Sequence, residues 1–126
     1  MPFVTDFFDN HLRNLMNRPL LDGYETYSVE CGIYFRDRDE TWRLSVDGGQ
    51  IIDINGPLDE VADVPVRFVV DEPVFFEIVT TEISPQKAFF ARRTEIQGNL
   101  FEGMKLAKLL SLFFAKYPYR PNKEAS

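Results

Sequence analysis

The side chains that could carry out catalysis are few in this sequence and stand far apart. His11 is the only histidine, and it falls beside the apolar side of a predicted helix, which favours a packing or surface role over acid-base chemistry. Ser28, Ser45, Ser84 and Ser111 lack the strand-to-helix setting that exposes a nucleophilic hydroxyl. Ser84 is better explained as a helix cap. We therefore predict no catalytic residues and no enzymatic activity.

The acidic residues do not have the spacing of a metal site. Two runs lie in predicted connections between strands: Asp37, Asp39 and Glu40, and Asp59, Glu60 and Asp63. Neither run has the ligand spacing of a complete calcium loop, and one histidine offers no zinc site at this spacing. Asp47-Gly48-Gly49 lacks the strand-loop-helix context of a phosphate-binding loop. We predict solvated loop charges, no metal and no cofactor.

Composition and charge restrict the class of protein. The chain has 126 residues and a formal net charge of -6, from 14 Lys+Arg and 20 Asp+Glu. This balance argues against nucleic acid or an anionic membrane as the principal partner, unless the basic residues are strongly segregated. The single Cys31 excludes an internal disulfide and is expected to be a buried, inert thiol. With no signal peptide or membrane-spanning run recognisable, we expect one domain in the cytoplasm.

Aromatic residues are the one compositional excess, with 12 Phe, 5 Tyr and 1 Trp. Such side chains supply large apolar areas, either to a close-packed core or to a pocket for an apolar ligand. The residues alone favour the two roles equally for one set of side chains: Phe75, Phe76, Phe89, Phe90, Phe101 and Phe113.

Alternating apolar and polar residues predict five strands, over residues 27–35, 41–46, 52–54, 64–70 and 93–96. Nearly all have one apolar face, which is typical of an antiparallel sheet with one solvated and one covered side. Asp47-Gly48-Gly49-Gln50 predicts a hairpin, because Gly accepts the positive φ that such turns need. Ile52 and Ile54 are expected to continue the apolar face on the returning strand, and Pro65 predicts a strand start or edge.

Helices must supply the cover. The first is predicted from Val4 to Asn17, with Thr5 or Asp6 as its cap. The second is capped by Asp71 and the third by Ser84, each with a proline in its first turn. The fold class is therefore α+β, a mostly antiparallel sheet with helices on one face.

The last helix, predicted over residues 100–115, changes character along its length. Its first half is amphipathic, whereas Leu109 to Phe114 is apolar nearly all round. Such a segment has to be covered on every side. The cover could be another helix, a partner chain, a membrane surface or a bound lipid. Near a membrane, four basic side chains could touch headgroups: Lys105, Lys108, Lys116 and Arg120.

Two stretches resemble the sterol-carrier-protein-2 (SCP-2) family. Residues 83–100, which read Ile-Ser-Pro-Gln-Lys-Ala-Phe-Phe-Ala-Arg-Arg-Thr-Glu-Ile-Gln-Gly-Asn-Leu, are similar to its C-terminal half, together with Lys105-Leu106 and Leu109-Leu110. The hairpin Trp42-x-Leu44-x-Val46-x-Gly48 looks like its earlier signature. The Phe-x-x-Arg-Arg-x-x-x-x-Gly spacing is similar to that of bacterial members that assist ubiquinone biosynthesis. Asn99 departs from the usual Asp, and Arg92-Arg93 from the Gly of many members.

The resemblance implies a five-stranded sheet with an apolar cavity between its covered face and the helices. We assign residues 1–116 to this domain and expect residues 117–126 to be a flexible tail. The implied function is non-catalytic binding and transfer or presentation of a hydrophobic lipid: a sterol, a fatty acyl chain or an isoprenoid. The residues expected to bind it are Phe75, Phe76, Ile78, Phe89, Phe90, Ile96, Phe101, Met104, Leu109, Leu112 and Phe113.

Two alternatives stay open. The chain could be an accessory subunit that holds a substrate for enzymes of lipid or quinone biosynthesis, as the similarity to the ubiquinone-assisting members implies. It could also be a small enzyme of the cone-shaped α+β type, which would need a carboxylate or Tyr inside its pocket. The second alternative ranks last, because most carboxylates fall on predicted loops or outer faces.

Overall fold

The strands form one five-stranded sheet in the computed structural model, which describes residues 3–18, 23–58 and 64–120. They are β1 (Val29–Phe35), β2 (Glu40–Asp47), β3 (Gln50–Leu58), β4 (Val66–Val70) and β5 (Glu95–Gly98). Their order across the sheet is β3-β2-β1-β4-β5, and each neighbouring pair is antiparallel except β1 and β4. The predicted α+β class with a mostly antiparallel sheet is confirmed.

Helices cover one face of this sheet. The segment α1 spans residues 3–15; it is α-helical over Phe3–Asp6, π-helical over Phe7–Leu12 and 3-10-helical over Arg13–Leu15. It is followed by α2 (Glu72–Val79), α3 (Pro85–Phe90) and α4 (Leu100–Lys116). The apolar residues of β1 point toward them, since Val29, Cys31, Ile33 and Phe35 are all buried while Glu30 is exposed.

The hairpin between β2 and β3 forms as predicted, with Gly48 at φ 61° and Gly49 at φ 73°. The prediction that Ile52 shares the covered face with Ile54 is wrong. Val46 pairs with Ile51 but Ser45 pairs with Asp53, so a bulge absorbs Ile52 and turns it outward, 45% exposed. Ile51 is buried in its place, because one extra residue reverses the side on which the following side chains fall.

The segment α1 is anchored over β2 and β3. The Phe8 ring stacks on the indole of Trp42 with 4.5 Å between centroids and 9° between planes. The Arg13 guanidinium donates to the Ile54 carbonyl at 3.3 Å. Thr5 and Asp6 lie inside the helical segment, which begins at Phe3, so the predicted cap at these residues is wrong.

Residues 117–120 run back across α1 and α2. The Tyr119 amide donates to the Val79 carbonyl at 2.8 Å, its hydroxyl donates to the Asp6 carboxylate at 2.6 Å, and its ring is buried. Burial and this hydrogen bond raise the pKa of Tyr119, and the same bond lowers the pKa of Asp6. His11 packs beside Phe7, with Nε2 3.1 Å from the Tyr117 carbonyl oxygen. This first part of the expected tail is therefore packed, and residues 121–126 lie outside the described residues.

Candidate functional site

An apolar chamber lies between the covered face of the sheet and the helices α2, α3 and α4. Its lining is drawn from five elements and one turn: Ile33, Phe68, Val70, Phe75, Ile78, Pro85, Phe89, Thr94, Leu110 and Phe114. Ile33 lies on β1 and Phe68 and Val70 lie on β4, which together form the floor. Thr94 is the one polar side chain, so a molecule inside would meet almost only hydrocarbon.

The chamber is narrow, and a wider pocket, here called the vestibule, lies next to it. The chamber encloses about 40 Å³, which is room for only a few water-sized groups. The vestibule holds about 190 Å³ and shares three walls with the chamber: Ile78, Pro85 and Phe114. Its remaining lining is Thr81, Ile83, Ser84, Ser111 and Ala115. The vestibule therefore has hydroxyl groups in its lining, whereas the chamber beside it is almost entirely apolar.

Local bonding sets the position of α3, the shortest wall. The Ser84 hydroxyl accepts from the Lys87 amide at 3.1 Å and Pro85 takes the first helical position, so the predicted Ser84 cap is confirmed. After α3, both Arg93 terminal nitrogens donate to the Glu77 carboxylate, at 2.9 and 2.7 Å. This bidentate pair ties the turn after α3 to α2.

The start of α2 is capped from a distance. The Asp37 carboxylate accepts from the Glu72 amide at 3.1 Å. Asp71 occupies the cap position, but its carboxylate makes no capping bond and instead accepts from Arg36 at 3.2 Å. The prediction of Asp71 as the capping side chain is therefore wrong, because the loop after β1 brings Asp37 closer to the free amide.

The start of α4 is fixed by Gly98 and Asn99. Gly98 has φ 91°, and a Cβ there would collide with the Pro65 carbonyl, so no other residue fits without strain. The backbone amide of Asn99 donates to the Pro65 carbonyl at 2.9 Å, and the side-chain oxygen of Asn99 accepts from the Glu102 backbone amide at 3.0 Å. Asn99 thus caps α4 as Asp would.

The Glu77–Arg93 pair makes stability depend on pH. Hydrogen bonds from Arg93 hold the pKa of Glu77 below its ordinary value of 4.5. A carboxyl whose pKa is lowered on folding stabilises the fold above its unfolded pKa and loses that contribution as pH falls through the folded pKa. We expect Glu77→Gln to lower Tm at neutral pH, and the difference from the wild type to close at low pH.

Thermal unfolding between neutral and acidic pH measures this difference. Glu82→Gln is the matched control, since Glu82 is exposed and makes no ion pair with any residue of the described segments. A Tm difference for Glu77→Gln that stays constant down to low pH would contradict the assigned ion pair.

The structure brings three of the eleven residues predicted to bind lipid into the chamber: Phe75, Ile78 and Phe89. Leu109 and Phe113 are fully buried but do not line it, and Ile96 and Met104 are half-buried. Phe76 packs edge-on against Phe3 at 5.0 Å, away from the chamber. Three point outward: Phe90 (71% exposed), Phe101 (72%) and Leu112 (44%).

Seven lining residues were not among the predicted set: Ile33, Phe68, Val70, Pro85, Thr94, Leu110 and Phe114. The three on strands carried a usable signal, because the alternation had already placed them on the covered face. Leu110 and Phe114 carried a weaker one: they stand four residues apart and so share one side of α4. In an all-round apolar segment that side is not distinguishable from the side of Leu109 and Phe113.

None of the ten described residues that line the chamber is titratable, and Thr94 is the one among them with a hydroxyl group. Across residues 3–18, 23–58 and 64–120, no three His, Cys, Asp or Glu side chains cluster as a metal site would require. Cys31 is buried as predicted, and burial raises the pKa of its thiol to about 12. In the same ranges, no helix has the length and hydropathy to cross a bilayer.

The sequence pattern of the SCP-2 sterol transfer family matches residues 18–111. The chain belongs to this family. The peroxisomal multifunctional enzyme type 2 of Mus musculus is 32% identical to this SCP-2 chain over 69 residues, which are 55% of the chain and 9% of that enzyme. The chain therefore spans less than a tenth of that relative.

Solved structures share the SCP-2 fold. A sterol carrier protein 2 crystal structure aligns with a TM-score of 0.66 and 11% identity, over 89% of this chain and 92% of the other. A UbiJ-SCP2 ubiquinone synthesis protein aligns at 0.59 and 15%, over 88% and 91%. A palmitated SCP2L2 from Aedes aegypti aligns at 0.59 and 15%, over 85% and 93%. At these identities the likeness establishes the fold alone.

Proposed function

We propose that this SCP-2 chain holds the apolar part of one lipid molecule in the chamber, and transfers or presents that lipid without changing it chemically. The observation that carries the proposal is the lining itself, with nine apolar side chains and Thr94. Each Å² of lipid surface removed from water contributes about 25 cal/mol. The titratable groups that catalysis needs are absent from this lining, which supports the non-enzymatic part of the proposal.

The chamber has to widen when a lipid enters, because about 40 Å³ cannot hold an acyl chain. The wall best suited to move is α3, because with six residues it is the shortest of the three helices that line the chamber. The turn after it stays tied to α2 by the Glu77–Arg93 pair. The vestibule supplies a direction of entry, and Ser84 and Ser111 at its rim suit a headgroup or sterol hydroxyl. In this arrangement Phe75, Ile78 and Phe89 contact the lipid first, and Leu109 and Phe113 only after widening.

The lipid class stays broad in this proposal: sterol, fatty acyl or isoprenoid. Apolar walls discriminate weakly, since one methylene changes binding by only about 1–3 kcal/mol. The fold shared with a palmitated protein supports an acyl chain, and the fold shared with a ubiquinone synthesis protein supports an isoprenoid. The buried thiol of Cys31 supports a reducing compartment such as the cytoplasm.

A second candidate is an accessory role in lipid or quinone biosynthesis, in which the chain presents its lipid to an enzyme. It is favoured by the Arg92-Arg93 pair and by the alignment with the ubiquinone synthesis protein over most of both chains. Affinity capture from cells tests it, and recovery of no biosynthetic enzyme would count against this role.

Native mass spectrometry of the freshly purified chain tests the lipid-binding proposal directly. We expect a species heavier than the chain by the mass of one lipid, and its loss after delipidation. The delipidated chain should then take up one equivalent of a fluorescent fatty acid. If no lipid mass is found and neither fatty acid, sterol nor isoprenoid is taken up, the proposal is wrong.

A further inference from the structure

Charge is unevenly distributed along this chain. Residues 84–120 hold seven Lys+Arg and two Asp+Glu, a formal charge of +5, and since the whole chain carries -6, the remainder carries -11. An even spread of this negative net charge would argue against an anionic surface as a partner. The charge of this chain is not evenly spread. Residues 84–120 contain α3, β5 and α4, of which α3 and α4 line the chamber.

Most basic side chains outside this region form ion pairs with carboxylates. Arg36 pairs with Asp71, Arg38 with Glu40, and Arg43 with Glu30. By contrast, the Nζ atoms of Lys87, Lys108 and Lys116 have no carboxylate oxygen within 4.0 Å anywhere in residues 3–18, 23–58 and 64–120. All three lysines are exposed. They are therefore available to an anion outside the molecule.

Exposed apolar side chains accompany these lysines. Along α4 the exposed residues Phe101, Lys105, Lys108, Leu112 and Lys116 recur at intervals of three or four, so they form one stripe on the side away from the sheet. On α3, Lys87 and Phe90 are exposed while Ala88 is buried. Because Phe89 of α3 and Leu110 of α4 line the same chamber, the opposite sides of both helices face outward together.

We propose that this surface docks on an anionic lipid membrane. The basic-apolar face is defined by six exposed residues: Lys87, Phe90, Phe101, Lys108, Leu112 and Lys116. Lysines over anionic headgroups and aromatic rings at the boundary with the acyl chains are the features of a helix that lies in the membrane interface. The acidic remainder of the chain, at -11, would be repelled and so would orient the molecule.

Two features of the fold favour this surface over others. The apolar residues of α1 are buried, including Val4, Phe7 and Phe8, and on its exposed side Asp9 and Arg13 neutralise each other, which leaves no excess of positive charge for an anionic surface. The basic-apolar face, in contrast, adjoins the vestibule. On α4, Ser111 and Ala115 line the vestibule, and each is followed directly by a residue of the face, Leu112 and Lys116. Docking would therefore place the vestibule beside the bilayer.

Vesicle co-sedimentation tests the docking. One set of vesicles is phosphatidylcholine alone, and in the other phosphatidylserine replaces a third of the lipid. We expect the chain to bind the second set and not the first, and half-molar NaCl to release it. Lys108→Gln/Lys116→Gln should weaken binding about 30-fold, at the energy typical of two lysines near an anionic surface. Phe101→Ser should weaken it about tenfold through lost apolar burial.

The controls match each change. Asn14→Asp/Gln97→Glu lowers the net charge by the same two units at exposed sites outside the face, and Ile52→Ser removes an exposed apolar side chain on β3. Both should bind vesicles as the wild type does. Equal binding to the two vesicle sets, or wild-type binding by the lysine variant, would overturn the proposal.

A self-association surface is the competing outcome. If the chain sediments as a dimer without vesicles and the lysine variant is a monomer, the face binds a second copy and the membrane proposal is wrong. Uptake of fluorescent fatty acid in solution, measured on the same variants, should be unchanged. Loss of docking with normal uptake thus separates this inference from the proposed lipid binding, which fails only when uptake fails.

Discussion

Replacing Leu110 by Trp is expected to weaken lipid uptake about 10- to 100-fold, while the chain stays folded. Leu110 is half-buried on α4 and lines the chamber. The indole would fill the space of about 40 Å³, so a lipid could enter only by pushing aside packed side chains. We expect displacement of the indole by the lipid to cost about as much as overfilling a packed core, about 1–3 kcal/mol, and this cost lowers the affinity.

Leu112→Trp is the matched control for Leu110→Trp. It makes the same change two residues later on the same helix, at a side chain that is 44% exposed and does not line the chamber. Titration with a fluorescent fatty acid measures uptake, and circular dichroism confirms that both variants are folded. If Leu110→Trp binds as tightly as Leu112→Trp, the lipid does not occupy this chamber.

Trp42→Ala is expected to cause the largest loss of stability. Trp42 is fully buried and stacks on Phe8, and a Cβ at Gly56 would lie 2.5 Å from its ring, so the indole is packed on both sides. Replacing a buried Trp by Ala costs about 3–5 kcal/mol. For a domain of this size, that lowers Tm by about 10–25 °C.

Circular dichroism melting measures the effect, because Trp42 is the only tryptophan and its fluorescence is lost in the variant. Trp42→Phe, which keeps an aromatic ring on Phe8, should lose less than half as much. Trp42 does not line the chamber, so the folded variant should still take up fatty acid at low temperature. A Tm change of a few degrees for Trp42→Ala would show that α1 contributes little to the fold.

The sheet was predictable because its signal is local. Successive residues of a strand face opposite sides of the sheet, so the burial of Ile33 or Val70 can be predicted from the alternation of apolar and polar residues around it. The bulge at Ile52 was not predictable in this way. Whether β2 or β3 absorbs an extra residue depends on how the two strands pair, and pairing joins residues that are distant in sequence.

Helix caps show the same division. Ser84 and Asn99 cap helices that begin at the next residue, so both follow from local sequence. Asp37 caps α2 from 35 residues away, and no spacing rule connects them. The loop after β1 reaches α2 because β4 lies beside β1 in the sheet, which is a property of the tertiary fold.

The sequence predicted that the lining would be apolar, but it did not predict which residues form it. The excess of aromatic residues and the all-round apolar half of α4 required a large apolar contact surface, and the SCP-2 resemblance implied a cavity within it. Which side of α4 faces that cavity depends on the helix's rotation over β4 and β5. Leu110 and Phe114 line the chamber, whereas Leu109 and Phe113 are buried outside it.

The fold class and the family could therefore be established from the sequence alone. These depend on residue types and on periodicities of two and about 3.6 residues, which act over short distances. Which apolar residues line the chamber, and how narrow it is, depend instead on the way the helices pack on the sheet. The same packing leaves Lys87, Lys108 and Lys116 without a carboxylate within 4.0 Å in the described part of the chain.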